Sequence, residues 1–160
     1  MLYFGVVAVI LGAYMIWREY AFYLDGELLS CRSFLRALVD YREKIKCYME
    51  LPSDWAQGYR DEYLAECGFF DKIRSGVNFG EAYATSKDLI LITDGVDDAL
   101  TSCFDRLGDG YLDTELEALG IAIDKLTREE ERLVENLSKR RKATGAVLGA
   151  CALGIVILVI

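Results

Sequence analysis

Apolar positions follow two different patterns along the chain. Over Leu2 to Trp17 and Ala143 to Ile160, runs of 16 and 18 residues, they dominate without a single Asp, Glu, Lys or Arg. Between these runs they recur every three or four residues, the period of one helix face. At a rise of about 1.5 Å per residue, each run comes close to the ~30 Å hydrocarbon core of a bilayer. Tyr3, Tyr14, Trp17 and Tyr20 flank the first run, where amphipathic rings anchor a short span at the interface. The pattern predicts an all-α chain: a transmembrane helix over 1–17, a helical-bundle domain over 18–142 and a second transmembrane helix over 143–160. A buried core helix is the alternative for each run. A cleaved secretory signal is a further alternative for the first, which lacks a basic leading region and a small-residue cleavage site before Arg18.

Within the middle region the period predicts a helix from about Asp25 to Glu50 with a face of Leu28, Cys31, Leu35, Leu38, Ile45 and Met49, interrupted at Arg42. The only proline, Pro52, ends it, and Ser53 or Asp54 is expected to cap a second helix carrying Trp55, Tyr59, Tyr63 and Leu64. CGFFDKIRSGVNFGEAY reads as a short helix, a glycine turn and a new start capped by Asn78, with Glu81 three residues on. LILI at 89–92 fits a strand or a buried helix segment; with helices on both sides and no partner strand, a helix or a buried connector is favoured. Thr93 or Asp94 then caps a helix facing inward with Val96, Leu100, Cys103, Phe104 and Leu107, and Gly108 stops it. The last helix has the most regular stripe: Leu116, Leu119, Ile123, Leu126, Glu130, Leu133 and Leu137, broken only by the glutamate. That spacing serves either a bundle core or a helix seam to a partner.

Charge adds an orientation. All 18 basic and 26 acidic residues, and with them the net charge of −8, lie between Arg18 and Lys142. Lys139, Arg140, Arg141 and Lys142 directly precede the second run, and Arg18 directly follows the first. The positive-inside rule therefore places the middle region in the cytoplasm of a membrane-bound protein. Five cysteines without a C-x-x-C spacing fit a reduced compartment. The acidic balance argues against nucleic acid as a partner.

Catalytic chemistry has few residues to draw on. The chain has no histidine, which removes Ser-His-Asp and Cys-His nucleophiles and His-containing zinc sites. Neither a G-x-x-x-x-G-K-[ST] nor a G-x-G-x-x-G loop occurs. The acid pairs Asp97–Asp98 and Glu129–Glu130–Glu131 read as solvated helix faces. CFDRLGDGYLDTEL, from Cys103 to Leu116, is reminiscent of a calcium loop, with Asp109, Gly110 and Asp113 at matching positions when counted from Asp105. Leu107 and Leu116 then occupy two ligand positions, the second being that of the bidentate carboxylate. The stretch reads as a turn between helices, with Asp113 as an N-cap acid. No cofactor, no metal and no enzyme activity is expected.

The order of parts resembles the stage III sporulation protein AB family of endospore-forming bacteria. Leu107-Gly108 leading through a polar turn into the last helix, Leu148-Gly149 in the final span after Lys139 to Lys142, and Leu51-Pro52 before a middle helix carry the likeness. The turn has Glu115 and Glu117 where the family often has a glutamine. The resemblance implies a fold similar to the helical-bundle domain of the inner-membrane platform of secretion and pilus systems. It also implies a non-enzymatic role on the mother-cell side of a channel complex, docking a cytoplasmic secretion-type ATPase beside other complex proteins and membrane lipid. Two other readings stand beside it. One is a scaffold that self-associates through Leu116, Leu119, Ile123, Leu126, Leu133 and Leu137; the other is a membrane sensor responding to a divalent cation at 94–98 and 105–113.

Overall fold

The computed structural model describes residues 2–108 and 111–159, less the side chains of 2–6, 8–10, 152–153 and 155–159. Every regular element among them is helical. The helices are α1 (Leu2–Tyr48), α2 (Pro52–Gly58), α3 (Glu62–Glu66), α4 (Phe69–Arg74), α5 (Phe79–Ala84), α6 (Asp94–Phe104) and α7 (Leu112–Val159), with a 3₁₀ turn at Lys87–Leu89. They group into two compact units. Met1–Asp25 with Leu133–Ile160 form a terminal unit, and Gly26–Arg132 form a middle unit. The sequence pattern divides the chain instead at 17/18 and 142/143, where the charges begin and end.

In the middle unit, α1 lies antiparallel to α7. The Cys31 thiol donates to the Leu126 carbonyl at 3.6 Å, Arg32 pairs with Glu130 at 2.7 Å, and the Arg42 guanidinium lies 3.6 Å from where a Cβ on Gly120 would be. Arg42 thus lies in ordinary van der Waals contact with the Gly120 position. The buried face of α1 is Glu27, Ser30, Cys31, Ser33, Phe34, Ala37, Leu38, Tyr41 and Ile45. This differs from the expected stripe: Leu28 and Leu35 are only half-buried and Met49 is exposed. The cause is chemical. The single Ser30 O–H has the carbonyls of Gly26, Glu27 and Leu91 within reach as alternative acceptors, and a buried hydroxyl with a partner loses little; Ser33 is buried beside it with no partner among the described residues.

Aromatic rings fill the space between α1 and the short helices. Phe34 meets Phe69 and Tyr83 edge-on, with centroids 5.5 and 5.8 Å away. Phe79 stacks on Phe104 at 5.5 Å. Trp55 lies 4.8 Å from Tyr41 and 5.5 Å from Phe70, and its indole N–H donates to Asp40 at 2.7 Å. Rings offset in this way add roughly 0.5–1.5 kcal/mol per pair beyond their buried area.

Local chemistry sets the breaks. Pro52 is at the first position of α2 and Leu51 at its cap, so neither Ser53 nor Asp54 caps it; a proline has no N–H to leave unsatisfied there. The expected helix through Leu64 is two helices. Asp61 separates them by accepting the Leu64 N–H at 3.0 Å, which starts α3. Asn78 caps α5 as expected, accepting the Glu81 N–H at 2.8 Å. The 89–92 stretch is a connector with Ile90 buried and Leu89 exposed. The predicted face of α6 is buried at all five positions, including Leu107 just beyond its end. Gly108 has φ +106°, a conformation that favours glycine.

In the terminal unit the two helix segments also run antiparallel. Asp25 receives both carboxylate contacts from Arg141, at 2.5 and 2.6 Å, and the Trp17 indole nitrogen lies 3.9 Å from a Cβ built on Gly145. Among the described residues no helix is long and apolar enough to cross a membrane. The expected spans fall in part on side chains outside those described.

Candidate functional site

The basic cluster before the second apolar run resolves into paired and unpaired cations. Lys139 bonds Glu135 at 2.6 Å, one turn back on α7, and holds that carboxyl below its usual range. Arg141 is taken by Asp25. Arg140 and Lys142 are exposed, as is Arg18, and among the described residues none of the three has an acidic partner. Around them stand rings exposed on the same unit: Tyr14 and Trp17, with centroids 6.3 Å apart, then Tyr20, Phe22 and Tyr23.

The stripe on α7 is divided between the two units. Leu119 and Leu126 are fully buried in the middle unit, while Leu116 and Ile123 are half-buried there. Leu133 and Leu137 belong to the terminal unit. Glu130, the one interruption, pairs with Arg32.

Of the acidic runs, Asp98 and Glu131 are exposed, as a solvated face requires, whereas Asp97, Glu129 and Glu130 are engaged. Asp97 accepts the Tyr83 hydroxyl at 2.7 Å and Lys87 at 3.2 Å. The Tyr83 hydrogen bond, and then Lys87, hold its carboxyl below the usual range. Glu129 reaches from α7 to the start of α6. Thr93, at the α6 cap position, donates its hydroxyl to Glu129 at 3.2 Å, and Arg132 pairs with the same carboxylate oxygen. A Cβ on Gly95 would come within 2.9 Å of that carboxylate. A carboxylate at the positive end of a helix dipole is favourable. Neither arrangement was foreseen from the sequence. Gly95 in the first turn of a helix was the one signal, since glycine there marks a close approach.

Three of the five cysteines are poor nucleophiles, while Cys47 and Cys151 are exposed. Burial pushes the Cys31 and Cys103 thiols up to about 12 and raises Cys67 too, so at neutral pH they are protonated and weak. Cys103 lines a cavity of about 170 Å³ between α6 and α7, with Ala99, Ala118 and Ala122 as neighbours and Arg106 and Lys125 at its rim. Among the described residues no group of three or more acidic or cysteine side chains is placed to hold a metal ion. Asp109 and Gly110 of the reconsidered loop lie outside the described residues. Beside them, the Gly108 N–H donates to Glu115 at 3.0 Å. Asp113 lies inside the first turn of α7, one residue past its start, rather than at the cap. No protein-family model matches the chain, and no curated protein or solved structure compared with it matches either.

Proposed function

We propose that the chain is a non-catalytic platform: a membrane-anchored helical bundle that presents its middle unit in the cytoplasm and docks other proteins of a channel complex, a secretion-type ATPase among them. The mother-cell side of a sporulation channel is the setting that the resemblance to the stage III sporulation protein AB family implies. The observation that carries the anchoring is the surface of the terminal unit. Leu11, Tyr14, Met15, Ile16, Phe22 and Val147 are all exposed there, Met15 at 64% and Phe22 at 77%. A helix pair apolar on most sides suits lipid rather than water. The uncharged runs that contain these residues approach bilayer length in the sequence. The middle unit, with 13 basic and 23 acidic residues and a net charge of −10, favours basic protein surfaces as partners.

Cysteine accessibility tests the topology on which docking depends. Cys47 in the middle unit is exposed, whereas Cys31, Cys67 and Cys103 are buried. With Cys151→Ser removing the other exposed thiol, Cys47 becomes the reporter for a membrane-impermeant maleimide. Labelling only after lysis of protoplasts is expected. Labelling of intact protoplasts would turn the middle unit outward and remove the platform reading.

A further inference from the structure

The terminal unit has a charge pattern opposite to the rest of the chain. Met1–Asp25 with Leu133–Ile160 hold five basic residues and three acidic ones, against the net −10 of the middle unit. Two of the five cations are neutralised internally, Lys139 by Glu135 and Arg141 by Asp25. The remaining three, Arg18, Arg140 and Lys142, are exposed and have no acidic partner among the described residues. Lys142 is three residues before Gly145 on α7, hence on the same helix face. Gly145 in turn lies against the Trp17 indole nitrogen, and Arg18 is the next residue. An indole N–H donor and three unpaired cations, against Glu19 as the single acid unpaired among the described residues, thus gather where the charged part of the unit gives way to its apolar part. Phosphate oxygens accept hydrogen bonds from such donors, and Trp and Tyr rings favour the headgroup level.

We propose that this collar is a binding site for the headgroups of anionic phospholipids, with Lys142, Arg18 and the Trp17 indole contacting a phosphate and Arg140 adding charge at its edge. The proposal rests on the membrane anchoring given above. The lipid, rather than free phosphate, is the ligand because the cations border a continuous apolar surface that would take the acyl chains. Lys139 and Arg141 already have carboxylate partners, which sets those two apart from the other three. Each unpaired cation close to an anionic surface is worth about a fivefold gain in partitioning.

Trp17 reports on its own neighbours, since the only other tryptophan, Trp55, is buried in the middle unit. The full chain would be reconstituted in phosphatidylcholine vesicles carrying a minority of brominated phosphatidylglycerol, or the same fraction of brominated phosphatidylcholine. Stronger quenching by the brominated anionic lipid is expected, equivalent to a local enrichment of about fivefold or more, and inorganic phosphate added to the buffer should not relieve it. Arg18→Gln/Arg140→Gln/Lys142→Gln should bring the two lipids level while the far-UV helix signal is unchanged. Lys139→Gln should leave the excess in place. Equal quenching by both lipids in the native chain would overturn the headgroup site and leave the anchoring intact. Quenching by neither would overturn the anchoring itself. An excess that survives the triple substitution, or that Lys139→Gln also abolishes, would refute the assignment to the unpaired cations, and relief by phosphate would make the site one for free anions.

Discussion

Replacing Tyr83 by Phe removes one oxygen and leaves the ring in the aromatic core. Tyr83 is buried, with centroids 5.8 Å from Phe34 and 5.3 Å from Phe104, contacts that phenylalanine keeps. What is lost is the 2.7 Å hydrogen bond to the Asp97 carboxylate, which ties α5 to α6. Hydrogen bonds to ionised groups contribute about 1.5–3 kcal/mol. The Asp97 side chain is 36% exposed and keeps Lys87, so solvent and the remaining partner reduce the loss. We expect about 1–1.5 kcal/mol at neutral pH. The pH dependence distinguishes this bond from a packing defect. The Tyr83 hydroxyl is the first cause of the depressed Asp97 carboxyl. A depressed acid contributes stability that is complete above the unfolded value, near pH 4, and fades as pH falls through the folded one. The native chain should therefore lose more stability than the variant below about pH 4, and their curves should converge. At the alkaline end the Tyr83 phenol is raised, by burial first and then by Asp97. Its contribution is complete below the unfolded value near pH 10 and is lost above it, so the curves should converge again. Urea unfolding of the full chain in mild detergent, followed by far-UV circular dichroism from pH 3 to 11, reads both arms. A difference that stays constant across that range would refute the reasoning.

Gly95→Ala in a helix would ordinarily add about 0.5–1 kcal/mol. Here the new methyl meets the Glu129 carboxylate, and displacing it costs about 1–2 kcal/mol in lost contacts to Thr93, Arg132 and the helix end. The net should be neutral to destabilising, and only in a Glu129→Ala background should the ordinary gain return; a gain in both backgrounds would show that Glu129 does not matter to α6. Leu126→Ala, at a fully buried position, should cost about 2–5 kcal/mol without altering the sedimentation of the folded protein, whereas loss of an oligomer at unchanged stability would return Leu126 to a self-association seam. Arg32→Ala removes a half-exposed pair with Glu130 and should cost less than about 1 kcal/mol; a larger loss would mean that the pair organises the α1–α7 contact. In the Cys151→Ser chain at neutral pH, a maleimide should titrate one thiol quickly and Cys31, Cys67 and Cys103 only after denaturation, and fast labelling of more than one would contradict their burial.

The α6 face could be read from the sequence because its buried residues, Val96, Leu100, Cys103 and Phe104, are also its apolar ones. Along α1 that identity fails. Ser30 and Ser33 take inward positions, so an apolar stripe drawn through Leu28 and Leu35 is turned away from the true face. Two glycines inside helices stand at close approaches, Gly26 against Leu91 and Gly95 against Glu129, and glycine itself does not name the partner. The collar was visible as charge, but its division into paired and unpaired cations depends on Asp25, which lies 116 residues from Arg141. The interruptions in the two long stripes carry one further step. Arg42 breaks the stripe of α1 and rests on Gly120 of α7, while Glu130 breaks that of α7 and pairs with Arg32 of α1. A seam meant for a second copy of α7 would oppose Glu130 to another chain. Each break is answered by the other helix of the same chain, so in the middle unit these two charged positions record where α1 and α7 meet.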